Sequence, residues 1–180
     1  MRICVFCGSK HGSRPANADA AREVGRLLAA RRIGLVYGGG HIGLMGVVAD
    51  AVLAGGGEVV GVIPRSMVDE ELAHAGVTEL LIVRSMHERK ALMAEKADAF
   101  LALPGGFGTA EEFFEIVTWR QLRLHAKPIG LLNVDGFFDP LLDWIDRAFA
   151  EGFIAPKYRG LIAVSSNAGE LIGLLGDLTP

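Results

Sequence analysis

Two short segments of this 180-residue chain hold the residue types from which a reactive centre is built. The first is Leu103-Pro104-Gly105-Gly106-Phe107-Gly108-Thr109-Ala110-Glu111-Glu112, a glycine-rich turn between an apolar strand pattern and a helix start. Free backbone amides and the positive end of the helix dipole make such a turn an anion site, and Thr109 adds a hydroxyl. No lysine follows the glycines as it does in a Walker A loop, so a phosphate monoester fits better than a triphosphate. The second segment is Ser85-Met86-His87-Glu88-Arg89-Lys90. It sets two cations in the opening turns of a helix, against the dipole, a cost that a nearby anion offsets.

The same residues have ordinary structural uses. Thr109-x-x-Glu112 and Ser85-x-x-Glu88 both spell capping boxes. At 100° per residue, the helix read over Ala110 to Leu124 centres its core stripe on Phe113, Ile116, Val117 and Leu124. Glu112 falls at the edge of that stripe and Glu111 and Glu115 on the other side, so Glu112 is the carboxylate expected to face a site. Lys90 shares a stripe with Met86, Met93 and Ala97, and Arg89 lies beside Met93, a pattern that also describes apolar stems snorkelling on a half-buried face. His87 is assigned no role. Phe114, Trp119 and Leu122 fall outside the core stripe, and a helix apolar on more than one face implies a partner, here a homodimer.

Positioning these segments requires a scaffold, and the chain reads as alternating strand and helix. Short apolar runs at Ile3 to Phe6, Ile33 to Tyr37, Val59 to Ile63, Leu80 to Val83, Ala99 to Leu103, Ile129 to Leu132 and Leu161 to Val164 predict strands. Helical patterns at Ala18 to Arg31, Ile42 to Ala54, Met86 to Ala97, Ala110 to Leu124, Pro140 to Ala150 and Ala168 to Leu175 intervene, which predicts an α/β fold with a doubly wound parallel sheet, in one domain over residues 1–180. Ligands of such sheets bind beyond the carboxyl ends of the strands. Gly8, Ser9, Gly39 and Gly40 fall at that rim together with the Pro104 to Glu112 turn, so they are read as substrate contacts. The 24 glycines, about twice the usual share, thereby gain a place. Gly38 to Gly43 also satisfies G-x-G-x-x-G, but the acid that a dinucleotide site wants about 20 residues on is missing from the end of the next strand. Glu58 stands at that strand's start and Pro64-Arg65 at its end, which leaves only an NADP reading through Arg65.

Composition narrows the classes further. Eighteen Lys and Arg against 21 Asp and Glu give a net charge of -3, with no basic footprint for nucleic acid or an anionic membrane. The longest apolar stretch, Gly43 to Pro64, is broken by Asp50, Gly55 to Gly57 and Glu58, so no membrane span is expected. Met1-Arg2-Ile3-Cys4-Val5 runs straight into a strand pattern without a leader, which predicts a cytoplasmic protein. Cys4 and Cys7 fall on opposite faces of one apparent strand, as a reduced core pair. No metal is expected, because a second ligand pair and H-x-x-x-H spacing are both lacking.

Taken together, S-M-H-E-R-K at Ser85 to Lys90 and P-G-G-F-G-T-A-E-E at Pro104 to Glu112 resemble the Lonely Guy family of cytokinin-activating phosphoribohydrolases, whose hallmark is P-G-G-x-G-T-x-x-E. The resemblance extends over nearly the whole chain, through Tyr37 to Gly40, Gly43 to Gly46, Thr118-Trp119, Lys127-Pro128 and Leu131 to Gly136. It implies a Rossmann-like fold, dimers or higher assemblies, no cofactor, and hydrolysis of the N-glycosidic bond of a nucleoside 5'-monophosphate. Carried over by motif, Arg89 and Glu112 are the expected catalytic residues. Lys90, Gly105, Gly106, Phe107, Gly108, Thr109, Ala110, Glu111 and Thr118 are expected to contact substrate, and Glu71 joins them through Glu71-Leu72-Ala73-His74. The competing readings are a nucleotide-binding or molybdenum-cofactor-binding module without hydrolysis, and the NADP-dependent oxidoreductase. A pyridoxal-phosphate decarboxylase fits poorly, since no lysine stands out as a Schiff-base anchor.

Overall fold

Every apolar run read as a strand is one, within a residue or two at each end. A computed structural model of the chain describes residues 1–69 and 72–179. Its strands are β1 (Arg2–Phe6), β2 (Gly34–Tyr37), β3 (Val59–Pro64), β4 (Glu79–Val83), β5 (Ala99–Ala102), β6 (Ile129–Leu132) and β7 (Ile162–Ser165). They form one parallel sheet in the order β4-β3-β2-β1-β5-β6-β7. The inner strands β2, β3, β5 and β6 are buried along their whole length, as a sheet covered on both faces demands. The edge strands β4 and β7 are partly open.

The covering helices are α1 (Pro15–Ala30), α2 (Gly43–Ala54), α3 (Arg65–Asp69), α4 (Met86–Lys96), α5 (Phe107–Gln121), α6 (Asp139–Ala150) and α7 (Ala168–Asp177). One core packs α1, α2 and α7 on one face, around Ile3, Val5, Leu35, Tyr37 and Leu101. The other packs α4, α5 and α6 on the opposite face, around Cys4, Phe6, Val36, Phe100 and Leu131. Cys4 belongs to the second core and Cys7 to the first, both as free buried thiols on opposite faces as expected. No described helix is long and apolar enough to cross a membrane.

Three expectations need correction. Helix α5 begins at Phe107, with Gly106 as N-cap, three residues before the expected start. Thr109 is therefore inside the first turn and the Thr109-x-x-Glu112 capping box does not form, whereas Ser85 does cap α4, its Oγ accepting the Glu88 N–H at 3.1 Å. Helix α5 also ends at Gln121, with Arg123 just beyond it in the left-handed region at φ +63°, and Leu124, expected in the core, is 68% exposed. Of the three residues expected to seek a partner, only Leu122 is exposed. Phe114 and Trp119 are half-buried against the core, and Phe114 meets Trp144 edge-on at 5.7 Å between ring centres.

The sheet reverses its winding between β1 and β5. Strands β1 to β4 run outward in chain order, and α4 then returns the chain to the centre, where Ile3 pairs with Ala99 and Phe6 with Ala102. The carboxyl ends of β1 and β5 consequently open on one crevice, the place where doubly wound sheets bind ligands.

Candidate active site

Both strand ends at this crevice carry glycine and are joined directly, Gly8 N–H donating to Pro104 O at 3.1 Å. A cavity of about 260 Å³ lies there, lined by Gly8, Ser9, Lys10, Pro104, Gly105 and Gly106 among others. The first helical hydrogen bond of α5 is Ala110 N–H to Gly106 O, so the amides of Phe107, Gly108 and Thr109 precede the ladder and are free to bind an anion. Gly106, Phe107 and Gly108 are exposed at the opening, as is Ala110, while the Thr109 side chain is buried against Gly105. The shift of α5 toward its glycines therefore strengthens the anion site.

Helices α4 and α5 bring the two expected catalytic side chains to the same face. Arg89 is only 6% exposed, and its guanidinium is fixed by one backbone carbonyl within β3 and one just past the end of β2. Its Nε donates to Val62 O at 3.0 Å and its Nη2 to Gly38 O at 2.9 Å, while Nη1 lies 3.7 Å from the Met86 sulfur. A guanidinium has five N–H donors, so donors remain for a ligand. Gly38 has to be glycine here, because a Cβ would lie 1.9 Å from Nη2 of Arg89. Further along the same turn, Gly43 has φ +61°, and a Cβ would stand 2.3 Å from the carbonyl carbon of Ser9.

This explains the G-x-G-x-x-G match without a dinucleotide. Gly38 O receives Arg89, Gly39 O accepts the His74 N–H at 2.9 Å, Gly40 forms a β-bridge with Ala73, and Leu44 N–H donates to Gly8 O. Gly39 and Gly40, expected to touch substrate, are thus engaged by the protein's own backbone. Glu58, the only acid near the dinucleotide spacing, pairs with Arg2 at 2.8 Å, and the hydrogen bond holds its carboxyl below the usual range.

Glu112 lies one turn into α5, with its carboxyl largely withdrawn from water. Burial pushes its pKa up to about 7, against the opposing pull of the Arg89 and Lys90 charges. No ion pair joins it to Arg89 among the described residues, so Arg89 acts on it through space. Lys90 makes a different connection: its ammonium, 10% exposed, is paired with Glu111 and, at 3.1 Å, with Glu115. Burial opposes the charge on Lys90, but these two hydrogen bonds outweigh it and raise the pKa. Lys90 and Glu111 thereby brace α4 against α5, the two helices that carry Arg89 and Glu112.

Two sequence-based candidates are not gathered here. Thr118 is nine residues beyond Thr109, about 14 Å along the helix axis, and lines an exposed groove beside Phe114 and Trp144. Glu71 lies outside the described residues. Asp50 and His74, which carry no sequence signal for a site, meet through their side chains at 2.9 Å beside the Gly38–Gly43 turn. Twenty-four residues separate them, and no local pattern links an acid on a helix to a histidine after a short loop.

Known proteins with similar features fall into two groups. The family described as "Possible lysine decarboxylase" matches residues 45–175. A probable cytokinin riboside 5'-monophosphate phosphoribohydrolase of Oryza sativa subsp. japonica is 53% identical over 179 residues, 99% of this chain and 79% of its own. A cytokinin riboside 5'-monophosphate phosphoribohydrolase of Arabidopsis thaliana is 52% identical over 179 residues, 99% of this chain and 82% of its own. Among solved structures, a molybdenum cofactor binding protein from Rippkaea orientalis superposes with a TM-score of 0.76 at 20% identity, over 99% of this chain and 97% of that one. At that identity the likeness concerns the fold alone.

Proposed function

Since the chain belongs to the family of cytokinin riboside 5'-monophosphate phosphoribohydrolases, the family its motifs resemble, we propose that it hydrolyses the N-glycosidic bond of adenosine 5'-monophosphates, N6-modified ones included. The products are the free base and ribose 5-phosphate. The observation that carries this reading is a buried arginine whose charge reaches, through space, a withdrawn carboxylate beside a helix N-terminus. A module that only held a nucleotide phosphate would have no use for a carboxylate withdrawn from water one turn into the same helix.

The residues divide the work as follows. The amides of Phe107, Gly108 and Thr109 hold the 5'-phosphate, so binding energy far from the reacting bond fixes the ribose in register. As the bond from C1' to the base nitrogen breaks, positive charge builds on the sugar, and the Glu112 carboxylate stabilises it. Glu112 also draws a proton from the attacking water. The water's hydroxyl ends on C1' and its proton on the departing base, which balances the reaction. The remaining donors of Arg89 face the anionic substrate, and its charge lowers the pKa of Glu112.

The decarboxylase description calls for a lysine that is readily neutral, able to form a Schiff base with pyridoxal phosphate. Lys90, the half-buried lysine between α4 and α5, does not fit, since two carboxylates hold it charged.

Measuring base release from AMP and from N6-isopentenyl-AMP across pH tests the reading. For the free enzyme, kcat/KM should rise with pH to a plateau with an apparent pKa near 7, because the ionised form of Glu112 is the active one. Failure of the folded protein to release base from either substrate would overturn the proposal, and a rate that falls through pH 7 would make Glu112 the proton donor instead. We also propose that the chain works as a homodimer, supported by Leu122, Leu124 and Trp144, which are 62%, 68% and 58% exposed on neighbouring helices and their connections. Sedimentation velocity should give twice the 19.1 kDa chain mass, and a monomer at micromolar concentration would refute this.

A further inference from the structure

On the reading that Arg89 is catalytic, we infer that Asp50 and His74 form a positioning pair that fixes the Gly38–Gly40 turn on which the Arg89 guanidinium rests. Residues 72–74 run against this turn. His74 N–H donates to Gly39 O at 2.9 Å, His41 N–H donates to Leu72 O at 3.1 Å, and Gly40 pairs with Ala73 in an antiparallel bridge. The His41 ring adds an Nδ1 contact to the same Leu72 carbonyl at 3.0 Å.

The His74 side chain ties this segment to α2. Its Nδ1 accepts the Gly76 N–H at 3.1 Å, which places the ring proton on Nε2, and Nε2 donates to Oδ1 of Asp50 at 2.9 Å. Asp50 belongs to the helix that opens at Gly43, directly after the turn. The contacts therefore close a ring, from the turn along α2 to Asp50, across to His74, and back through its backbone to Gly39. The carbonyl next to Gly39 in the chain, that of Gly38, is the one that holds Nη2 of Arg89. Neither Asp50 nor His74 touches Arg89 or Glu112, so their effect on the reaction passes through this turn.

An Asp50 side chain that is 70% exposed adds little to global stability through such a contact. A small displacement of a catalytic group is a different matter, since about 1 Å can cost on the order of 100-fold in rate. His74→Ala and Asp50→Ala should each lower kcat for AMP by roughly ten-fold, with KM changed less than about two-fold. The melting temperature should stay within about 2 °C of the parent. Because both act through one contact, the double variant should be no slower than either single one. Asp50→Asn keeps the Oδ1 acceptor and should restore the parental kcat.

A second readout is independent of turnover. As Arg89 is released, its lowering effect on Glu112 weakens, so the Glu112 carboxyl, followed by carbon-13 NMR, should titrate at higher pH in His74→Ala than in the parent. Parental kcat in the alanine variants, losses that multiply in the double variant, an Asp50→Asn as slow as Asp50→Ala, or an unmoved Glu112 titration would each overturn the positioning role. A parent protein that releases no base while the Glu112 titration still moves would overturn the hydrolase reading and leave the positioning pair standing.

Discussion

Glu112→Gln is expected to lower kcat for base release by about 10²- to 10⁴-fold, the range supplied by a positioned carboxylate in such chemistry. The amide matches the shape of the carboxyl but neither stabilises a cationic sugar nor accepts the proton of water. Folding should not suffer. The capping contact that its motif suggested is absent, with Gly106 at the N-cap of α5. The ionised side chain in fact opposes folding. Its folded pKa of about 7 is above the ordinary carboxyl value of 4.5. The stability associated with the protonated form is therefore complete below 4.5 and is lost as pH rises through 7. The glutamine variant lacks this loss, so its stability relative to the parent should grow across that window, as read by urea unfolding at pH 5 and pH 8. Glu111→Gln, which loses a contact to Lys90, should keep most of the activity. A dead Glu111→Gln beside an active Glu112→Gln would exchange the roles assigned to the two.

Arg89→Ala should also cost at least about 100-fold in kcat/KM, with a different signature. Removing the guanidinium strips the donors from Val62 O, within β3, and Gly38 O, just past β2, both on buried residues. Each unsatisfied carbonyl costs about 1–3 kcal/mol, so this variant should melt measurably lower than the parent while Glu112→Gln does not. Losing the positive charge also removes the largest influence holding the Glu112 pKa down. The residual activity should therefore rise with pH at a higher apparent pKa than in the parent. Arg89→Lys should rescue little, since a compact ammonium lacks the planar fork that reaches Val62 O and Gly38 O from two different nitrogens. An Arg89→Ala protein with parental stability and an unchanged pH profile would show that the guanidinium is not where these contacts put it.

The sheet could be read from the sequence because its signal is local. Most inner strands are short apolar runs closed by glycine or proline, and both faces are buried, so the runs stand out against the helices between them. Arg89 and Glu112 stand out for a similar reason, as a cation set against a helix dipole and a carboxylate at the rim of a core stripe, while the catalytic roles expected of them come from the family resemblance. The start of α5 was misplaced because Thr109 and Glu112 satisfy a capping rule, while Gly106, Phe107 and Gly108 look like poor helix formers. Packing overrode propensity and drew the helix back over the glycines. The short α3 was not foreseen either, since Pro64-Arg65 reads as the end of a strand. Least legible were the partners of Arg89. They are carbonyls 27 and 51 residues away, brought together only by the order of the strands.

That strand order also sets a timetable for the newborn chain. β1 precedes every other strand of the sheet in the chain, so β2, β3 and β4 can join the growing sheet as they appear. The other edge of β1 waits for β5, because Ile3 pairs with Ala99, 96 residues later and the most distant strand pairing in the sheet. Until then Ile3 to Phe6 present an open apolar edge, the kind that recruits other chains. Gly8 and Gly105 are likewise held apart until that pairing closes. The anion-binding crevice is thus assembled by the slowest class of contact in the fold, and a chain arrested before Ala102 has half a sheet and no site.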